Sequence, residues 1–214
     1  MKIAIFGSSG QTGIKVVEQA LRAGYQVSAF VRNPENITIS HTNLSVIKAD
    51  ALVPSTFNTK LAGHDAVISA LGTGRRYDET NLYSEGGKNI IEAMRKAGVK
   101  RFICLTSGGV VDDVPPGNDS ESKPKPIFNN VQLDMKRMED YLKSFRDIEW
   151  IIIRPPALIN TEFTGKYEIS DIYIPKIGRK ISRADLADFM LKQITDNTYL
   201  FKTSTINYKI DTPN

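Results

Sequence analysis

The sequence predicts an α/β fold, a doubly wound parallel sheet with helices on both faces, completed by a small C-terminal region. Two observations lead there. Short β-rich runs alternate with segments of helical periodicity over the first two thirds of the chain. The first of these runs, Lys2 to Phe6, passes directly into the turn Gly7-Ser8-Ser9-Gly10, after which the apolar spacing changes to Ile14, Val17 and Leu21. Strand, glycine turn and helix make one half of a βαβ unit.

The elements then follow in order. Gly24 stands where the first helix should stop. Gln26 to Val31, Leu44 to Lys48 and Asp65 to Ala70 read as strands two to four. Ile90, Ile91, Met94 and Ala97 mark one face of a helix ending at Gly98, and Arg101 to Thr106 is strand five, closed by Ser107-Gly108-Gly109. Four prolines and many polar residues make Asp112 to Pro126 a long exposed loop, a candidate lid beside the substrate face. Phe128 to Phe145 is helical, and Glu149 to Ile153 is strand six, ended by Arg154-Pro155-Pro156 because proline cannot continue the ladder. Lys166 to Ile177 reads as a hairpin. Ser182 to Ile194 reads as a helix opened by the cap pair Ser182 and Asp185, with Leu186, Phe189, Met190 and Ile194 as its apolar face. With no internal repeat or linker, residues 1–214 are expected to form one domain, those from about 155 onward supplying a substrate-side cover.

Composition removes several function classes. Hydrophobic residues at 41% and charged residues at 24% are those of an ordinary globular chain. The net charge of +4 is too mild to argue for nucleic acid. One cysteine, Cys104, cannot form an internal disulfide and reads as a core thiol, and no Cys/His cluster has zinc spacing, so no metal is expected. Two histidines, His41 and His64, both in loop-like stretches, leave little material for histidine catalysis; His64 reads as a surface residue. No apolar run reaches a signal peptide or a membrane span. A reduced, cytoplasmic protein is expected, a monomer or weak homodimer with neither membrane nor nucleic-acid partners.

The chemistry is carried by the turn from Gly7 to Gly13. Glycines there let the backbone turn tightly and approach a pyrophosphate, whose charge is met by amides and the positive end of the following helix. A bare glycine-rich turn is the alternative, but the strand-to-helix context favours a dinucleotide. At the end of strand two, where enzymes preferring NAD place an acidic residue on the ribose, stands Arg32. A guanidinium pairs with a 2′-phosphate in bidentate fashion, worth about 1.5–3 kcal/mol, which favours NADPH over NADH unless Arg32 is merely a solvated surface residue. Asp50, after strand three, can accept from the adenine amino group or cap a turn. Ala70-Leu71-Gly72-Thr73-Gly74, after strand four, suits backbone passing close to ribose and phosphate, or is an ordinary turn. All four segments fall at carboxyl ends of strands, where doubly wound sheets bind ligands.

The runs GSSGQTG, VRN, KAD, AGHDAVISALGTG, YSEGGKNIIEAM, CLTSGG, KRMEDYL, IIIRPP and ISRADLADFML together resemble the atypical short-chain dehydrogenase/reductase family of NAD(P)H-binding, NmrA-like proteins, with its Rossmann-like fold. Within it the chain is most similar to the flavin-reductase group that includes biliverdin reductase B. The resemblance extends from Lys2 to about Ile194. It implies that Gly7, Ser9, Gly10, Gln11, Thr12 and Gly13 hold the pyrophosphate and Arg32 the 2′-phosphate. It further implies that Asp50 and Ala51 border the adenine, and Leu71, Gly72 and Thr73 the ribose. Thr106 and Ser107 would face the nicotinamide, with Pro155, Pro156, Ala157 and Leu158 lining the nicotinamide and substrate side. Ser107 and Lys136 would be the catalytic pair.

Two departures narrow the chemistry. The Tyr-x-x-x-Lys acid of short-chain reductases is missing, because Gln132 stands four residues before Lys136; Lys136 itself could instead be an exposed helical lysine paired with Asp140. The histidine that follows the prolines in biliverdin reductase B is Ala157 here. Without such an acid, hydride transfer to a flavin, quinone or tetrapyrrole-like acceptor is less demanding than carbonyl reduction. Arg75 and Arg76 could attract an acidic acceptor, or be a solvated pair. The expected function is therefore an NADPH-dependent oxidoreductase of flavin-reductase type. The rival is a non-catalytic NAD(P)-binding redox sensor of NmrA type; a sugar-nucleotide epimerase fits less well, for want of the tyrosine and of a substrate domain.

Overall fold

The structure is a computed structural model that describes residues 1–74, 78–110, 130–171 and 180–208. The elements are β1 (Lys2–Phe6), α1 (Gln11–Arg22), β2 (Gln26–Val31), β3 (Leu44–Lys48), β4 (Ala66–Ser69), α2 (Ser84–Ala97), β5 (Arg101–Leu105), α3 (Asn130–Lys143), β6 (Glu149–Ile153), β7 (Ala157–Ile159), β8 (Glu168–Ser170), β9 (Lys180–Ser182), α4 (Arg183–Lys192) and β10 (Lys202–Asn207).

Eight strands form one sheet in the order β3-β2-β1-β4-β5-β6-β10-β8, parallel throughout except for β8, which runs antiparallel to β10. Strands β7 and β9 form a separate short parallel pair. The β-strand period of two sorts side chains between two cores. Ala4 and Phe6 of β1, Val67 of β4, and Phe102 and Cys104 of β5 face α2 and α3. Ile3 and Ile5, Ala66 and Ile68, and Ile103 and Leu105 face α1 and α4. Because both faces are covered, the central strands are apolar at all but their end positions, which is why they read as continuous runs rather than alternating ones. Phe6 and Phe30 stack with ring centres 4.6 Å apart, and Phe57 meets Phe6 edge-on.

The helix ends have distinct origins. Gly98 ends α2 in the left-handed region with φ 73°. Its start is capped from another helix, for buried Asp134 of α3 accepts the Tyr83 and Ser84 amides at 2.7 and 3.3 Å. The Ser182 hydroxyl caps α4 by accepting the Asp185 amide at 2.9 Å, as the sequence predicts. Helix α1 begins at Gly10 with no side-chain cap. Among the described residues, no helix is long and apolar enough to cross a membrane, and no group of three or more His, Cys, Asp or Glu could hold a metal ion.

The structure differs from the sequence reading in two places. Beyond β6, Glu168–Ser170, from the segment read as a hairpin, lies antiparallel to β10, thirty-odd residues later, a strand the reading did not place. The rest of that segment, residues 172–179, lies outside the described residues, as do Arg75, Arg76 and the 112–126 loop. Second, His64 is buried rather than on the surface, its Nε2 2.8 Å from Ser28 Oγ and its Nδ1 3.0 Å from the Leu61 carbonyl. Cys104 is buried as expected, and that burial pushes its thiol well above the ordinary value.

Burial holds the His64 imidazole below its ordinary value of 6.5. A group whose folded value is depressed binds more protons in the unfolded chain, so stability present above that ordinary value is lost as pH falls through and below it. Urea unfolding midpoints should therefore decline from pH 7 to pH 5 in the native protein, and that decline should be shallower in His64→Gln. Equal slopes in the two would remove His64 as the cause.

Candidate functional site

Strand order reverses between β2 and β4, which lie on opposite sides of β1, and the carboxyl ends of β1 and β4 flank the resulting crevice. Three stretches of backbone meet there with no room for side chains. Gly7 adopts φ 75°, and a Cβ on it would lie 2.4 Å from the Ala70 carbonyl oxygen. A Cβ on Gly13, inside α1, would lie 2.1 Å from the Gly7 oxygen. The Gly10 amide donates to that same oxygen at 3.0 Å, and the buried Ser8 hydroxyl donates to Ile5 O at 2.6 Å. The turn is thus pinned from below while Ser9, Gly10 and Gln11 are exposed and Thr12 is largely buried. The result is a side-chain-free cradle at an uncapped helix N-terminus, which fits the close backbone approach a pyrophosphate requires.

Around this turn the predicted residues gather at neighbouring strand ends. Arg32 follows β2 directly and is exposed; among the described residues no hydrogen bond or ion pair engages its guanidinium. Asp50 follows β3 and does cap a turn, its Oδ1 accepting the Leu52 amide at 2.9 Å. Ala51 is buried, its carbonyl accepting from Asn89 Nδ2 at 2.9 Å. A Cβ on Gly86 of α2 would lie 3.2 Å from Ala51 Cβ and 3.5 Å from Leu71 Cδ1, so that glycine lets the helix close against both. Leu71, Gly72 and Thr73 continue from β4. The Tyr83 phenol, raised by burial, is hydrogen-bonded to Thr73 and backs this turn.

At the ends of β5 and β6 the arrangement is more closed. The Thr106 amide donates to Ile153 O at 3.0 Å and the Gly108 amide to Pro155 O at 2.8 Å. The Thr106 hydroxyl points into the fold, donating to Glu139 Oε1 at 2.6 Å, so Thr106 offers the site its backbone. Arg154 donates from Nε to Glu139 Oε1 at 3.1 Å and from its terminal nitrogen to Oε2, with both side chains buried. Ser107 Oγ accepts the Gly109 amide at 3.1 Å. Lys136 Nζ pairs with Asp140 at 2.5 Å, the helical pairing weighed from sequence. Pro155 is buried, Pro156 half-buried and Ala157 exposed, while Leu158 packs against the α1 and α4 core.

Sequence reasoning missed Tyr83, Asp134, Glu139 and Arg154. A signal for two of them was present: Val131, Met135, Met138 and Leu142 repeat at helical spacing, and positions 134 and 139 fall on that buried face.

Fold and cradle together define a dinucleotide-binding protein of oxidoreductase type. A family model described as NAD(P)H-binding matches residues 7–197, and the chain belongs to that family, among the atypical short-chain dehydrogenases/reductases. An uncharacterised chloroplastic protein of Arabidopsis thaliana is 28% identical, over 99% of this chain and 78% of its own length. A solved Bacillus halodurans protein, named as a candidate NAD-dependent epimerase/dehydratase, is 26% identical with a TM-score of 0.80 over 100% of this chain and 96% of its own. A Streptococcus pneumoniae protein, named as a candidate NADH-flavin reductase, shares the fold at a TM-score of 0.76 and 23% identity, over 98% of this chain and 100% of its own. The two names differ in chemistry; both chains share this protein's fold.

Removing one member of a buried ion pair leaves an uncompensated charge, at a cost of about 3–5 kcal/mol. Glu139→Ala should lower unfolding stability by that order in urea titration. A loss below about 1 kcal/mol would mean that Arg154 does not depend on this carboxylate.

Proposed function

We propose that this chain is an NADPH-dependent reductase that passes hydride to a flavin, quinone or tetrapyrrole-like acceptor. The observation that carries the reading is the side-chain-free cradle at Gly7 and Gly13 with the unengaged Arg32 at the neighbouring strand end. Gly7, Ser9, Gly10, Gln11, Thr12 and Gly13 would hold the pyrophosphate through backbone amides, and Arg32 the 2′-phosphate through its planar fork. Asp50 and Ala51 would border the adenine, and Leu71, Gly72 and Thr73 the ribose. Thr106, Ser107, Lys136, Pro155, Pro156, Ala157 and Leu158 would surround the nicotinamide. When bound, the reduced nicotinamide supplies the hydride.

The protein's own contribution is position and electrostatics. Glu139 is the buried carboxylate nearest the end of β5 among the hydrogen bonds described, and Thr106 and Arg154 engage it inside the fold. Ser107 can orient a substrate through its hydroxyl without titrating near neutral pH. Chemistry in which the acceptor delocalises charge and takes its proton from water suits such a site; protonating an alkoxide in place does not. One observation favours the second reading, a redox sensor that binds without turnover: Gln132 stands where the Tyr-x-x-x-Lys acid would be.

Purified protein mixed with NADPH and a panel of flavins, quinones and biliverdins should consume nicotinamide absorbance with at least one acceptor. Tight NADPH binding with no turnover across the panel would establish the sensor instead. NADPH should raise the melting temperature more than NADH at equal concentration. Arg32→Asp should reverse that order, by roughly ten- to a hundredfold in relative affinity; an unchanged ratio would reject the role of Arg32.

A further inference from the structure

The two segments that would flank the nicotinamide, Ser107 and Pro155, are each held by the residue before them. Thr106 Oγ1 donates to Glu139 Oε1 at 2.6 Å, and Arg154 donates from Nε to the same oxygen at 3.1 Å and from a terminal nitrogen to Oε2. A single carboxylate on α3 therefore grips the ends of β5 and β6 together. Lys143, one helical turn further along, reaches Oε2 at 3.7 Å. Glu139 is 0%, Thr106 6% and Arg154 7% exposed, so the carboxylate lies inside the fold, out of a ligand's reach.

Backbone bonds alone would leave this place loose. The Thr106 amide continues the β5–β6 ladder to Ile153 O at 3.0 Å, and the Gly108 amide closes the turn on Pro155 O at 2.8 Å. Beyond Arg154 the prolines at 155 and 156 have no amide to donate, so the ladder ends there. The side-chain bonds to Glu139 continue the link below it. A buried ion pair gives little net stability over apolar chains of equal volume, so stability is not what this one chiefly supplies. It supplies direction, because the planar fork of Arg154 meets both carboxylate oxygens and the Thr106 hydroxyl meets one of them.

The other end of the cofactor would lie well away from this clamp. The order β2-β1-β4-β5 separates the strand ends at Arg32 and Thr106 by three strand spacings, about 14 Å. Among the described residues, the hydrogen-bond and ion-pair partners of Glu139 are Thr106, Arg154 and Lys143, none of them in the glycine cradle. We infer that Glu139 is a positioning residue for the nicotinamide, fixing Ser107 and Pro155 at the separation that seats the ring while the cradle and Arg32 hold the rest of the cofactor. This rests on the reductase reading of the same site.

NADPH and 2′-phospho-ADP-ribose differ only in the nicotinamide, so the ratio of their affinities reads how well that ring is seated. The native protein should bind NADPH more tightly by roughly tenfold. Glu139→Gln, of equal size, sets an N–H against the Arg154 guanidinium and should bring the ratio close to one, with 2′-phospho-ADP-ribose affinity unchanged. Glu139→Met/Arg154→Met exchanges both charges for apolar chains without the cost of an unpaired charge; it should do the same, and serves if Glu139→Gln folds poorly. With the site saturated, the fluorescence anisotropy of the reduced nicotinamide should fall in both variants, which a merely weaker fold would not cause. A ratio retained in both variants, or an equal weakening of both ligands with anisotropy unchanged, overturns the inference alone. Native protein that binds both ligands equally also overturns it, and leaves the acceptor panel to judge the reductase reading. Native protein that binds neither takes the cofactor reading down with it.

Discussion

The Gly7 carbonyl oxygen sits where a Cβ on Gly13 would have to be, and the Ala70 carbonyl sits where a Cβ on Gly7 would have to be. Two mutually dependent backbone contacts therefore fix how the end of β1, the start of α1 and the end of β4 cross. Any side chain at either glycine would push α1 away from the sheet or open the crevice, since a packed interior yields little to added volume. The uncapped start of α1, the exposure of Ser9 and Gly10, and the approach of Leu71 to Gly72 to the same cleft all follow from that crossing. The reversal of strand order makes the gap; the glycines set its width.

Buried carboxylates then fix what apolar packing leaves loose. A leucine or phenylalanine face tolerates small slides of one element over another, but a buried charge is stable only where its partners meet it. Asp134 joins α3 to the start of α2. Glu139 joins α3 to the ends of β5 and β6. Asp185 of α4 accepts from the amides of Thr164 and Gly165 and from the hydroxyls of Ser182 and Tyr208. Burial alone would raise the Asp185 carboxyl; those hydrogen bonds, with Tyr208 foremost, hold it below its ordinary value. The three sites tie the loops above the carboxyl edge of the sheet to helices below it. The surface charges do less of this, as exposed pairs such as Lys15 with Glu18 are worth at most about 1 kcal/mol.

Local pattern made β1 to β6 and their helices legible because each is specified by its own run of residues: an apolar strand, a periodic helix, a glycine stop at Gly98. Strands β7, β9 and β10 were not legible for the opposite reason. Strands β7 and β9 have three residues and carry almost no period, and β10 pairs with Glu168–Ser170, a partner far off in the chain, so no neighbouring run announces it. His64 was misplaced because a Gly-His-Asp sequence reads as surface turn, whereas the fold closes Ser28 and Leu61 over the ring.

The candidate site divides in the same way. Its glycine turn, Arg32 and the strand-end segments at Asp50 and Leu71 were determined by the sequence itself, because backbone freedom and charge at a strand end are properties of single residues. The inward turn of the Thr106 hydroxyl, the Glu139 to Arg154 pair beneath it and the placement of Gln132 against Gly109 were decided only by tertiary structure. Each depends on how far α3 is drawn along the sheet, a distance set by buried electrostatic contacts between residues remote in the chain.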